Sequence, residues 1–134
     1  MTEPIPGLFA ELEKTVAETD TALHWGSGGL PVFSTPALVG LMESAAVVAL
    51  YGSLPAGQST VGVRIEVRHL AATPVGIAVR ARAELIEVDG RRLVFKIQAW
   101  DEVEIIGEAS HDRFVVEESR FVEKVTAKKL NPKK

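Results

Sequence analysis

Hydrophobic and polar positions first follow a helical pattern between Ser34 and Tyr51, where the sequence is STPALVGLMESAAVVALY. Between Pro36 and the end of this segment the only polar side chains are Glu43 and Ser44. A helix that is apolar nearly all round is normally buried. Thr35 fits the N-cap and Pro36 the first helical position, where the missing N–H of proline costs nothing. The pattern therefore predicts one buried helix, roughly 24 Å long, around which the rest of the chain wraps.

Beyond residue 60 the period changes to two residues, which is typical of β-strands. The pattern predicts four consecutive strands in an antiparallel meander, at about Val61–Leu70, Ile77–Val88, Arg92–Trp100 and Glu104–Val116. The pair Asp89-Gly90 predicts a tight hairpin between the second and third strands. In the first strand one phase holds the apolar residues together with a histidine: Val61, Val63, Ile65, Val67 and His69.

The two ends of the chain have weaker patterns. Residues 7–23 are interpreted as a strand, alone or with a short helical turn, and the glycine-rich stretch 24–33 as a loop leading into the long helix. A short amphipathic helix is predicted after residue 116, ending at Asn131-Pro132. Because no linker or repeat divides the sequence, residues 1–134 are interpreted as one α+β domain, an antiparallel sheet wrapped around one long central helix.

Composition excludes several classes of function. The formal net charge of -3 gives no sign of a nucleic-acid binder, and no apolar run reaches the roughly 18 residues of a membrane span. The first residues lack a basic flank followed by an apolar block, so no signal peptide is expected and a cytoplasmic location is the default. The chain has no cysteine, which excludes thiol catalysis, and its three histidines are too scattered to predict a metal site: His24, His69 and His111.

Two ionisable side chains lie where the pattern is otherwise apolar. Glu43 lies on the predicted buried helix, where a carboxylate must find partners or stay protonated. His69 lies in the apolar phase of the strand that follows. If both face one space, within one subunit or across a dimer interface, a Glu–His pair can tune both pKa values toward neutrality for acid–base catalysis. The structural alternatives are a core histidine bonded to backbone and a carboxylate with a protein partner.

Thr35 and Arg113 complete the set of candidates. On a continuous helix Thr35 lies about 12 Å from Glu43 along the axis, so the two can share a site only if Thr35 belongs to an irregular lead-in and regular helix begins nearer Gly40. Otherwise Thr35 is a plain N-cap. Arg113 shares one phase of the last strand with His111 and needs an anion, either a protein carboxylate or a phosphate or carboxylate of a ligand.

Three stretches of the chain resemble the hot-dog-fold acyl-CoA thioesterases, and within them the fluoroacetyl-CoA thioesterase-like group. They are STPALVGLMESAA, TVGVRIEVRHLAATPVG and VDGRRLVFKIQAWDEVEIIGEASHDR, within roughly Val32 to Val116. The resemblance implies the hot-dog fold and a homodimer with active sites at its interface, possibly paired further into a tetramer. It also implies hydrolysis of a short or small acyl-CoA thioester to a carboxylic acid and free coenzyme A. Coenzyme A belongs to the substrate, and no other cofactor is implied.

The same resemblance assigns roles to individual residues. The catalytic triad of that group falls on Thr35, Glu43 and His69, with Glu43 acting as the nucleophile or as the base for water. Gly62 falls on a glycine that lines the acyl pocket, and Arg113 on an arginine near the substrate. The lead-in HWGSGGLPVF has only Phe33 near the helix, where the fluoroacetyl-specific enzymes use phenylalanines to close the pocket. Phe33 is therefore the substrate-contact candidate there, and selectivity for a fluorinated acyl group does not follow.

Two other functions are compatible with the fold. One is a non-catalytic acyl-CoA binding protein that kept the pocket. The other is a hydratase, which is less favoured because the sequence has no stretch like Asp-x-Asn-Pro-x-His. The complete set of Thr35, Glu43 and His69 favours the thioesterase.

Overall fold

The computed structural model describes residues 3–130, and its elements follow the predicted order. In chain order they are β1 (Phe9–Thr15), a 3₁₀ turn (Glu18–Asp20), α1 (Ala22–Trp25), α2 (Thr35–Ala49), β2 (Gln58–His69), β3 (Ala78–Asp89), β4 (Arg92–Trp100), β5 (Ile105–Glu117), α3 (Glu118–Thr126) and a final 3₁₀ turn (Ala127–Lys129). The expected helix end at Asn131-Pro132 lies outside the described residues. None of the helices within residues 3–130 has the length and apolar content needed to cross a membrane.

The five strands form one antiparallel sheet in the order β1-β3-β4-β5-β2. β3, β4 and β5 form a meander as predicted, and Asp89 pairs with Arg92 across a hairpin in which Gly90 has a φ of 62°. The prediction that β2 belongs to the same meander is wrong, because β2 pairs with β5 at the far edge and not with β3. Alternation fixes which face a strand buries, but it does not choose the neighbouring strand.

α2 packs against β1, β2, β3 and β4 and places its apolar stripe on the sheet. The buried residues of this stripe recur at helical spacing: Leu38, Leu41, Met42, Ala45, Ala46 and Ala49. The sheet contributes fully buried side chains at alternate positions, among them Leu93, Phe95 and Ile97 of β4. Burying one such side chain stabilises the fold by about 2 kcal/mol. A helix in contact with four strands of one sheet is the architecture that the resemblance implied.

One strip of α2 departs from the prediction of a helix buried on all sides. Gly40 and Ser44 are exposed, and Val39, Glu43 and Val47 are only partly buried. Within residues 3–130 no element covers this strip completely. Apolar side chains that remain open to solvent beside polar ones are typical of a surface that meets another protein.

The start of α2 differs from the prediction by one residue. Ser34 is the N-cap, and its Oγ accepts a hydrogen bond from the Ala37 N–H at 3.1 Å. Thr35 is therefore the first helical residue, so its assignment as the N-cap is wrong, and so is an irregular lead-in that continues toward Gly40. Serine and threonine are both good N-caps, and the Ser34-Thr35 pair alone did not distinguish them.

β2 contains a bulge that the sequence pattern did not reveal. Gly62 and Arg64 pair with consecutive residues of β5, which leaves Val63 as the extra residue. Because a bulge shifts the alternation by one, Gly62 and not Val61 shares the helix-facing side with His69. The predicted unbroken phase is therefore wrong for Val61 and Val63, and Val63 is 55% exposed.

Candidate functional site

The first cluster of functional side chains joins the start of α2 to the end of β2. Thr35 Oγ1 lies 2.8 Å from His69 Nδ1. Both residues line a cavity of about 370 Å³, whose walls come from the lead-in to α2 and from the residues that follow β2. Phe33 also lines this cavity, although it is only 1% exposed, so most of its ring belongs to the core.

In the part of the chain that the structure describes, His69 has a hydrogen-bond partner on one of its two ring nitrogens. No group within residues 3–130 hydrogen-bonds the Nε2 atom, although this atom is buried. Burial lowers the pKa of His69 from its ordinary value, so the ring is neutral at pH 7. A buried polar atom without a partner is costly, and in a cavity it is the atom that can exchange a proton with a further group.

The lead-in to α2 is held on both sides by backbone hydrogen bonds. The Ser34 N–H donates to the Asp20 carbonyl at 2.9 Å, and the Phe33 N–H donates to the Thr73 carbonyl at 2.8 Å. Because Ser34 caps the helix, the hydroxyl of Thr35 is left to bond the imidazole. The local backbone therefore fixes where Thr35 meets His69.

The second cluster lies further along α2, around Glu43 and Arg113. Arg113 Nη1 donates to Glu43 Oε2 at 3.5 Å, and Arg113 Nε and Nη2 donate to the side-chain and backbone oxygens of Thr60 at 2.8 and 3.2 Å. The Arg113 side chain is 8% exposed, whereas the Glu43 side chain is 41% exposed. Arg113 thus has a protein carboxylate as its anion, and the Glu43 carboxylate is held on one side and open on the other.

His111 supports Arg113 in a neutral form. Its Nδ1 lies 2.8 Å from the Arg64 carbonyl, which can only accept, so Nδ1 carries the proton. Its Nε2 accepts from Arg113 Nη1 at 3.1 Å, because a guanidinium only donates. Burial, together with the charge of Arg113, lowers the pKa of His111 in spite of the bond to Arg64. His111 is therefore a neutral acceptor that fixes the guanidinium.

Gly62 faces the second cluster at very close range. A Cβ atom at this position would lie 2.6 Å from Glu43 Oε2 and 3.2 Å from both Arg113 Nη1 and His111 Cε1. Cβ atoms essentially never approach other atoms more closely than 3.0 Å. Only glycine therefore leaves the carboxylate where it is.

Glu43 and His69 belong to different clusters and make no direct contact within one subunit. Among the residues that the structure describes, no hydrogen bond or ion pair joins them. Thr35, which contacts His69, lies eight helical residues from Glu43, about 12 Å along the axis. Gly62, which lies beside the Glu43 carboxylate, is about 20 Å from His69 along β2. Within one subunit the two residues therefore do not form the pair that the sequence analysis considered.

Comparison with known proteins identifies the family. The family model described as fluoroacetyl-CoA-specific thioesterase matches residues 16–119. The chain belongs to this family. It is 44% identical over 97 residues to a fluoroacetyl-CoA thioesterase from Streptantibioticus cattleyicolor, an alignment that covers 72% of this chain and 70% of the relative. The predicted resemblance and the predicted thioester hydrolase activity are therefore confirmed.

Two solved structures extend this similarity to the fold. One is a variant of the fluoroacetyl-CoA-specific thioesterase in complex with fluoroacetate and CoA, 35% identical, with a TM-score of 0.81 over 88% of this chain and 99% of that one. The other is a hot-dog-like protein from Thermanaerovibrio acidaminovorans, 28% identical, with a TM-score of 0.85 over 95% and 93% of the two chains. The predicted hot-dog fold is confirmed.

Sequence reasoning about this thioesterase missed two contributions to the site. Thr60 was not a candidate, although it accepts two hydrogen bonds from Arg113. Thr60 and Gly62 are two residues apart and share a face, and that face lies on the same side of the sheet as His69 only because of the bulge at Val63, which the alternation hides. His111 had no role beyond packing, and its position two residues before Arg113 in the same phase was the available signal. No group of three His, Asp or Glu side chains in residues 3–130 is placed to hold a metal.

The thioesterase should lose stability as the pH falls below about 6.5, the ordinary histidine pKa. Both His69 and His111 have lowered pKa values in the fold, so the unfolded chain binds protons first and unfolding becomes easier. Urea denaturation at pH 7.5 and 5.5 measures this, since Asp20 and Asp101, whose pKa values are also lowered, stay ionised over that range. A His111→Gln variant should show a smaller drop, and equal drops in both proteins would contradict the assignment.

Proposed function

We propose that this thioesterase hydrolyses small acyl-CoA thioesters at sites formed across the interface of a homodimer. In the overall reaction the C–S bond breaks, the acyl carbon gains the hydroxyl of water and the sulfur gains the proton, so that a carboxylic acid and free coenzyme A leave. The observation that carries the proposal is that the catalytic candidates form two incomplete halves. The Thr35–His69 pair has a buried nitrogen without a partner, and the Glu43 carboxylate has one open side.

The edge position of β2 supports a dimer in which two sheets join. Within residues 3–130 β2 pairs with β5 and with no other strand, so its outer edge offers backbone groups to a further strand. The partly exposed strip of α2, with Glu43 and Ser44, gives a second open surface on the same chain. Together they provide an edge and a helix face that a second copy of the chain can cover.

The position of the two-fold axis follows from the two halves of the site. In a symmetric antiparallel pair of β2 strands, the numbers of opposite residues have a constant sum. An axis between Ile65 and Glu66 places Gly62 opposite His69 of the partner subunit, within about one residue because of the bulge. Glu43, which packs on Gly62, would then approach the free Nε2 of that histidine.

Each residue has a role in this arrangement. Glu43 either removes a proton from the water that attacks the thioester carbonyl, or attacks that carbonyl itself. In the second case the coenzyme A thiolate leaves, and water then hydrolyses the acyl–Glu43 anhydride and restores the carboxylate. His69, held by Thr35 at 2.8 Å, exchanges the proton through Nε2, and the positive end of α2 at Thr35 favours the negative charge that develops on the carbonyl oxygen. Arg113 holds the carboxylate in place. Water and these side chains supply the reacting groups, so coenzyme A enters only as part of the substrate. The proposed location of the reaction is the cytoplasm.

A small acyl group is proposed from the substrate of the relatives. A cavity of about 370 Å³ beside Thr35 and His69 gives an acyl group access to the pair. The solved relative that holds fluoroacetate and CoA is itself a thioesterase with a two-carbon acyl product. We therefore propose short acyl groups as the substrate class, without a requirement for fluorine.

The proposal is tested by following thiol release from a panel of acyl-CoA esters. The chain contains no cysteine, so a thiol reagent such as Ellman's detects only the coenzyme A that is released. Acetyl-CoA, fluoroacetyl-CoA and butyryl-CoA should be cleaved faster than palmitoyl-CoA, and Glu43→Ala should lower the rate by roughly a thousandfold. The control for folding is the circular dichroism spectrum of the variant.

Two results would contradict this function. One is thiol release no greater than that of the Glu43→Ala variant with every ester in the panel, which would favour a binding protein. The other is addition of water to crotonyl-CoA without thiol release, which would favour a hydratase.

A further inference from the structure

The Thr35–His69 pair belongs to a closed ring of bonds. Two hydrogen bonds close this ring. One joins Thr35 Oγ1 to His69 Nδ1 at 2.8 Å, and the other runs from the Phe33 N–H to the Thr73 carbonyl at 2.8 Å. The backbone from His69 to Thr73 and from Phe33 to Thr35 completes it. Thr73 is therefore the point at which the segment after His69 holds the segment before Thr35. A movement of Thr73 can therefore be passed through this ring to the pair.

Thr73 is anchored in turn by a carboxylate from a distant turn. It is fully buried, and its Oγ1 donates to Asp101 Oδ2 at 2.8 Å. The other carboxylate oxygen of Asp101 accepts from the backbone N–H groups of Val103 and Glu104 at 2.8 and 3.0 Å. Asp101 thus joins the ring to the turn that connects β4 to β5.

We propose that Asp101 is a positioning residue that sets the distance between Thr35 and His69 through Thr73. The inference rests on the proposed catalytic role of that pair. Neither Asp101 nor Thr73 lines the cavity beside the pair, so neither touches a bound acyl group directly, and the hydrogen bonds described above connect them to the pair. A displacement of about 1 Å in a catalytic pair can reduce the rate by as much as a hundredfold.

The ionisation of Asp101 suits this role. Burial disfavours its charge, but hydrogen bonds from Val103, Thr73 and Glu104 outweigh burial and hold the pKa of Asp101 below its ordinary value. The carboxylate therefore accepts from all three donors throughout the neutral range. Burial lowers the pKa of His69. Its titration therefore reports how well the imidazole is shielded from water.

Paired variants of Thr73 test the proposal. Thr73→Val keeps the shape of the side chain but removes the donor to Asp101, whereas Thr73→Ser keeps the hydroxyl. We expect Thr73→Val to lower kcat about tenfold with little change in KM, and Thr73→Ser to retain most of the activity. Asp101→Ala should resemble Thr73→Val. Asp89→Ala is the matched control, because Asp89 lies at the turn between β3 and β4, where its largely exposed side chain forms an ion pair with Arg92 at 3.6 Å.

The titration of His69, followed by NMR, gives a readout that needs no activity. In Thr73→Val the loss of the bond to Asp101 should loosen the segment after β2, admit water to the His69 imidazole and raise the pKa of His69 toward 6.5. Thr73→Ser and Asp89→Ala should leave the pKa of His69 unchanged. In a Thr35→Ala background, Thr73→Val should lower kcat less than twofold further, since the two changes act on one contact.

These readouts separate failure of the inference from failure of the proposed function. If the wild-type protein releases no thiol from any ester but His69 titrates as described, the positioning role stands and the function is wrong. An unchanged His69 titration in Thr73→Val, or independent and additive losses with Thr35→Ala, would overturn the positioning role whatever the activity.

Discussion

Two variants that are each inactive, Glu43→Ala and His69→Ala, should together regain about a quarter of the wild-type activity when their subunits are mixed. Half of the dimers formed at random contain one subunit of each kind. If Glu43 acts with His69 of the partner subunit, one of the two sites in such a dimer has both residues intact and the other has neither. Thiol release from acetyl-CoA, measured after joint refolding of equal amounts, gives the recovered fraction.

The control is the Glu43→Ala His69→Ala double variant mixed with either single variant. No dimer in those mixtures has a complete site across the interface, so no activity should return. Mixed dimers can be isolated with two affinity tags, which makes the result independent of how well the subunits exchange. Purified mixed dimers of the two single variants without activity would show that the two residues of a site do not come from different subunits.

The central helix and the middle of the sheet could be predicted because local signals agree there. α2 has a proline in its first turn and a nearly unbroken apolar sequence, and β4 has the predicted bounds because Asp89-Gly90 fixes where the strand begins. The inward residues of β4 then follow from alternation alone. In these segments the local preference and the final packing favour the same structure.

The place of β2 could not be predicted in the same way. Its pairing with β5 is a contact between residues far apart in the sequence. The alternation of polar and apolar residues in β2 and in β5 does not show which strand pairs with which. The bulge at Val63 is also invisible in the sequence, because valine suits either face of a strand. The consequence for the site is specific: Gly62 faces Glu43 only because the bulge shifts the alternation.

The chemistry of the site was partly accessible from sequence. Glu43 and His69 stood out as ionisable residues in apolar patterns. Arg113 was expected to meet an anion of the protein or of a ligand, and it meets the Glu43 carboxylate. The bond between Thr35 and His69 was not foreseen, since it depends on Ser34 taking over the cap. Such a choice between neighbouring hydroxyls is decided by the backbone that surrounds them.

Gly62→Ala should abolish most of the activity while the protein stays folded. The new Cβ would lie 2.6 Å from Glu43 Oε2, and the clash is relieved by moving the end of a flexible side chain that is 41% exposed. The backbone at Gly62 does not have the positive φ that excludes alanine, so we expect stability to change by about 1 kcal/mol or less. The displaced carboxylate should lower kcat by roughly a hundredfold.

Gly29→Ala is the matched control for this substitution. A Cβ at Gly29 meets no atom within 4 Å, and the residue likewise has no positive φ, so activity and stability should both remain close to those of the wild type. Retention of more than half of the activity by Gly62→Ala would mean that the carboxylate does not need its place beside β2. The decisive comparison is with Glu43→Ala: because both changes act on the same carboxylate, adding Gly62→Ala to that variant should lower kcat no further.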